Sequence, residues 1–107
     1  MWKINYYNES LEEAILALPD NLLARYLKFT DLMQRYGADL GMPHSKALGK
    51  GLFELRLKSK EGIARVFYCT KVGKTIYMLH CFIKKTQHTP LKELNLAKKR
   101  LKEVQND

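Results

Sequence analysis

Three consecutive segments, Leu52–Lys58, Ile63–Lys71 and Lys74–Ile83, alternate in side-chain character and are separated only by Ser59–Gly62 and Val72–Gly73. Alternation with period two marks half-buried strands, and connections this short permit only antiparallel hairpins. This stretch predicts a three-stranded meander. A four-residue turn at Ser59–Gly62 sets Arg56 opposite Arg65 and Glu54 opposite Phe67. A two-residue turn at Val72-Gly73 sets Arg65 opposite His80 and Phe67 opposite Met78. Opposed residues share a face. One face should therefore carry Glu54, Arg56, Arg65 and His80 with Phe67, Met78 and Phe82. The other should carry Phe53, Leu55, Leu57, Val66, Tyr68, Tyr77, Leu79 and Cys81 as a core surface.

Trp2 to Tyr7 alternates as a short strand. Ser10 and Glu13 fit a capping box ahead of a helix with Leu11, Ala14, Ile15 and Leu18 on one stripe, ending near Pro19. Asp20 suits the cap of a second helix, in which Leu22, Tyr26, Phe29, Met33 and Tyr36 recur at helical spacing up to Gly37. Residues 38–51 hold Gly41, Pro43, Gly49 and Gly51 and read as a loop. Thr89-Pro90 opens a last helix to about Val104, with Leu91, Leu94, Ala97, Leu101 and Val104 on its stripe. The expectation is a single α+β domain over residues 1–107. A strand and a helical hairpin pack on an antiparallel meander, followed by a C-terminal helix.

The longest unbroken apolar run, Ala14 to Leu18, is far short of the roughly 20 residues of a membrane-spanning helix. Cys69 and Cys81 are too few for a disulfide scaffold or a four-cysteine zinc site. The expected setting is soluble, reducing and cytoplasmic, with no membrane partner. Charge is distributed one-sidedly. Residues 1–37 carry four of the 19 basic and five of the 11 acidic groups, so the remainder holds a net +9. A field concentrated on one half of a small domain suits a polyanion, RNA or DNA above all.

Two opposed arginines repel unless an anion lies between them, and the planar guanidinium fork matches phosphate oxygens. Arg56 alone reads best as a surface pair with Glu54 or Glu61. Arg65 interrupts an apolar strand, Ile63 to Tyr68, and calls for either a phosphate or a structural ion pair. His80 suits proton transfer near neutral pH, or equally a hydrogen-bonded place in a packed strand. Phe82 to Pro90 gathers Lys84, Lys85, Thr86, His88 and Thr89 before a helix N-terminus, an arrangement that can hold an anion. His88 there is an acid/base candidate or a loop residue. His44, His80 and His88 share no ligand spacing with Cys or carboxylates, so neither a metal nor a cofactor is expected. Phosphate loops, serine elbows and cysteine–histidine signatures do not occur.

From Leu48 onward the pattern resembles the phage Gp49-like proteins of the HigB group, in the RelE superfamily of bacterial toxins. The resemblance rests on Lys46-Ala47-Leu48, Gly51-Leu52-Phe53-Glu54-Leu55-Arg56 and Ala64-Arg65-Val66-Phe67-Tyr68. It continues through Leu79 to Thr86, Thr89-Pro90 and the helix containing Ala97 and Arg100. It implies a RelE-like fold and the toxin of a type II toxin–antitoxin pair, a ribosome-dependent mRNA endonuclease. Such enzymes are metal-free and direct a ribose 2′-OH onto the adjacent phosphate. By position, Arg65 resembles the arginine that stabilises the transition state, and Lys84 and Lys85 resemble cations near the scissile or flanking phosphates. Arg56 matches the arginine of the family's "ELR" element. With Arg56 and Lys85, the phosphate-binding set includes Lys46, Lys98 and Lys99. His80 and His88 complete the catalytic candidates, and the general base stays unassigned because the superfamily varies it. The implied partners are an antitoxin of helix-turn-helix type, the 70S ribosome and mRNA. A gyrase-directed toxin of the ParE type, a non-catalytic nucleic-acid-binding module and an inactive phage relic are the alternatives.

Overall fold

Among the described residues, the order of elements is β1 (Lys3–Tyr6), α1 (Glu9–Leu16), α2 (Asp20–Tyr36), β2 (Ser45–Gly49), β3 (Leu52–Ser59), β4 (Gly62–Lys71), β5 (Thr75–Lys84) and α3 (Leu91–Gln105). The computed structural model describes residues 1–85 and 88–106. The strands form one mixed sheet in the order β1-β5-β4-β3-β2. β1 runs parallel to β5, and the other neighbours are antiparallel. The fold is α+β, as the sequence pattern predicts.

The β3–β4 hairpin has the predicted register, with Arg56 opposite Arg65 and Glu54 opposite Phe67. The β4–β5 register differs from the expected one. The connecting turn has three residues rather than two, because Lys71 pairs with Thr75, and Gly73 and Lys74 take φ of +87° and +60°. A bulge at Phe67/Tyr68 then adds one more residue on β5. Arg65 is thus opposite Phe82, and Phe67 opposite His80. Two single-residue insertions restore the original parity beyond the bulge, so His80 and Phe82 keep the face of Arg65. Between turn and bulge the parity is inverted. Met78 and Ile76 pack beneath α1 and α2, whereas Leu79 and Tyr77 join Phe67 and Cys69 on the opposite face. The expected positions of Met78, Tyr77 and Leu79 are all reversed.

The stretch 38–51 is not wholly loop, because β2 pairs with β3 from Ser45↔Leu55 to Gly49↔Leu52 through a bulge. Only Ser45 of this short edge strand is buried, so it lacks the apolar alternation by which a strand is read from sequence. Helix starts also shift. Asn8, not Ser10, caps α1 by accepting from Leu11 N at 2.8 Å. Pro19 and Pro90 occupy the cap positions expected of Asp20 and Thr89.

Two cores result. Leu11, Ile15, Leu22, Tyr26 and Met33 of α1 and α2 cover Leu55, Leu57, Val66 and Tyr68 on one face of the sheet. Ala97, Leu101 and Val104 of α3 cover Leu52, Phe67, Cys69 and Leu79 on the other. Leu91 and Tyr36, at helix ends, are exposed rather than part of their stripes. Buried Leu and Phe side chains each contribute about 1.5–3 kcal/mol. Helix α3 packs chiefly on β5 and β4 of this face. The same face carries Glu54 and Arg65, both buried, and Arg56, half-buried.

Candidate phosphate-binding site

Glu54 is the centre of a charged cluster on this face. Its Oε1 lies 3.7 Å from Arg65 Nε and 4.0 Å from Arg56 Nε, and its Oε2 accepts from the Thr89 hydroxyl at 3.1 Å. Arg65 is 6% exposed, a consequence of its place on the central strand β4. One of its terminal nitrogens donates to Ala64 O at 3.2 Å, while its buried Nε has no hydrogen-bond partner among the described residues. Burial lowers the Arg65 pKa, with Glu54 opposing and Arg56 reinforcing that shift. Two guanidinium groups thus share one carboxylate, and the excess charge is positive.

Lys84 lies opposite Ile63 and so shares the face of Arg65. Its pKa is lowered by desolvation first, then by the field of Arg65, against the pull of Glu54. Lys46 pairs directly with Glu54 across β2–β3, which brings it to the same face. Arg56, Arg65, Lys84 and Lys46 therefore converge, whereas Lys98 and Lys99 lie on the solvent side of α3. Lys85 and His88 are exposed beyond the end of β5. Thr86 lies outside the described residues. Thr89 points its hydroxyl at Glu54 rather than capping α3.

His80 is held in a ladder of rings. It stacks on Phe67 at 6.5 Å and 5° between planes, and on Phe82 at 6.0 Å and 19°. Its Nε2 lies 3.3 Å from Glu93 Oε2 of α3. Burial lowers the His80 pKa and outweighs the hydrogen bond and charge of Glu93, with Arg100 adding to the lowering. A neutral imidazole beside a carboxylate can accept a proton and hold it. Among the described residues no group of three or more His, Cys, Asp or Glu is gathered to hold a metal.

Parts of the site carry no signal in the sequence. Glu93 carries no signal before α3 is docked, and the Thr89–Glu54 hydrogen bond spans 35 residues. Arg25 and His44 line a pocket of 680 Å³ with Arg56, Lys58 and Arg65. Arg25 belongs to the half of the chain whose net charge is negative, which hides it in any count by segment.

Among the described residues, no helix is long and apolar enough to cross a membrane. No curated protein matches this sequence. A chain in the crystal structure of the archaeal RelE–RelB complex from Pyrococcus horikoshii OT3 superposes with a TM-score of 0.58 at 20% identity, over 78% of this chain and 96% of that one. The fold is RelE-like. The model of the phage-derived Gp49-like proteins matches residues 13–102, reaching back through the helical hairpin, and the chain belongs to that family.

Proposed function

We propose that this protein is the toxin of a type II toxin–antitoxin pair, an endoribonuclease that cleaves mRNA on the ribosome without a metal ion. The observation that carries this reading is the opposition of Arg56 and Arg65, with Lys84 beside them, on one face of the sheet. An in-line attack of a ribose 2′-oxygen on the adjacent phosphorus forms a 2′,3′-cyclic phosphate and breaks the bond to the 5′-oxygen. The 2′-OH proton passes to a base, and the departing 5′-oxygen takes up a proton. Negative charge grows on the phosphate oxygens in between, where a buried guanidinium already fixed in place is most effective. Arg65 supplies it, while Arg56, Lys84, Lys85 and Lys46 bind the scissile and flanking phosphates. His80 is the best-placed proton acceptor, backed by Glu93. His88 is the second candidate for proton transfer, and Lys98 and Lys99 dock the ribosome more weakly.

HigB-type specificity, action in the cytoplasm and a helix-turn-helix antitoxin belong to the same reading. The similar archaeal chain comes from a RelE–RelB complex, which supports a protein partner that masks the basic face. The test is to express the chain and map 5′ ends of cellular mRNA. Cuts confined to translated frames support the endonuclease. Gyrase poisoning without such cuts replaces it with the gyrase-directed alternative.

A further inference from the structure

A second cationic surface adjoins the candidate site. Strand β2 begins opposite Leu55, at Ser45, and just before it His44 O accepts from Arg56 N at 2.8 Å. Beyond that bond, among the described residues, no strand pairs with the outer edge of β3. The 680 Å³ pocket lies around this end of β3, with Arg25 and Phe29 of α2 on one side and Arg56, Lys58 and Arg65 on the other. An adjoining pocket extends it past Lys28 and Lys60. Among the described residues, no carboxylate lines either one. Glu61, the acid of the β3–β4 turn, instead accepts from Asn21 N at 2.6 Å, at the start of α2. Arg25, Lys28, Lys58 and Lys60 have no ion-pair partner among the described residues.

The pocket is not uniformly charged. Pro43 and Ile63 give it apolar surface, and the exposed His44 ring packs on the buried Phe29 at 4.8 Å. Cations at a rim around flat apolar surface match a chain with regularly spaced phosphates and unpaired bases. A duplex keeps its bases stacked inside and would meet only the rim.

We propose that this groove binds single-stranded RNA and leads it around the end of β3 to Arg65. The proposal deepens the RNA-cleaving reading and rests on it for the identity of the strand as mRNA. Binding of fluorescein-labelled hexauridylate to the purified protein tests it, with no ribosome present and no cleavage required. Arg25→Ala/Lys58→Ala removes two exposed cations of the groove. Lys3→Ala/Lys74→Ala removes two from the opposite edge of the sheet, where Lys3 pairs with Thr75. The groove variant should weaken binding about tenfold and reduce the salt slope by about 1.4, as expected for two lost single-strand phosphate contacts. The control should stay within about twofold of wild type.

Equal losses in both variants overturn the proposal, as does undetectable binding by the wild type. Preference for an RNA duplex, or equal displacement by polyglutamate, overturns it as well. Groove-dependent hexauridylate binding in a protein that cuts no cellular mRNA upholds the groove and removes only the endonuclease reading.

Discussion

Glu54 and Arg65 form an ion pair that is shared rather than private. The carboxylate sits 3.7 Å from Arg65 Nε and also 4.0 Å from Arg56 Nε, and among the described residues Arg65 Nε has no hydrogen-bond partner. The pair holds the guanidinium in place without saturating it, which leaves a donor for an anion. Substrate phosphate would meet two arginines already positioned and one carboxylate already committed to Thr89.

Neutralising Glu54 should expose the repulsion between the arginines. Glu54→Gln keeps the shape and a partner for Thr89 but removes the counter-charge. A buried charged group left without its partner costs about 1–3 kcal/mol. The urea midpoint should fall, and sulfate should restore more stability to the variant than to wild type, because an anion binding only the folded state stabilises it. Equal sulfate responses would show that Glu54 does not compensate these arginines.

His80 gives the fold a pH dependence of known sign. Its folded pKa lies below the unfolded value of 6.5. The stability tied to its neutral form is present above that value and is lost as pH falls from 6.5 toward the lower folded pKa. His80→Phe keeps the ring ladder with Phe67 and Phe82. Urea midpoints at a neutral and a mildly acidic pH should therefore fall further in wild type than in the variant, and parallel losses would contradict the assignment.

Cys69 and Cys81 lie in different cores, beneath α3 and beneath the helical hairpin. Burial pushes the Cys69 thiol up to about 11 and the Cys81 thiol up to about 12. Thiolate is the reactive form. Both should resist iodoacetamide at neutral pH until urea unfolds the chain, and rapid native-state labelling of Cys69 would contradict the packing of α3.

The parts of the molecule legible in sequence are those fixed by local rules. Alternation and a short turn sufficed to set Arg56 opposite Arg65. The β4–β5 register was not legible, since one extra residue at Lys74 and another at the Phe67/Tyr68 bulge obey no composition signal. Arg65 and His80 still share a face only because the two insertions cancel in parity. Leu79 and Met78, lying between or beside them, were placed on the wrong sides for the same reason. Glu93 and Arg25 reach the site by tertiary packing, so no spacing rule points to them.

Arg100 fastens the bulged region to α3, donating to Leu79 O at 2.8 Å and stacking over the Tyr7 ring at 4.4 Å. Arg100→Ala should cost about 1–3 kcal/mol through the stranded carbonyl. The loss should appear as faster amide exchange in α3 and β5, with β2 and β3 unchanged. Uniform acceleration across the sheet would mean that Arg100 contributes only global stability.

Replacing Arg65 separates chemistry from binding. Its guanidinium is nearly enclosed on the central strand, whereas Lys46 and Lys85 are exposed and Arg56 and Lys84 half-buried. Arg65→Ala should lower single-turnover cleavage at saturating ribosome by about 10²–10³. Ribosome affinity should change little, because one contact among many carries a small share of polyelectrolyte binding. Arg65 also partners Glu54, so Arg65→Lys is the matching control: it keeps the charge, loses the planar fork, and should recover stability more fully than rate. A wild-type rate in Arg65→Ala would remove this arginine from the chemistry. Equal recovery of rate and stability in Arg65→Lys would reduce its role to charge alone.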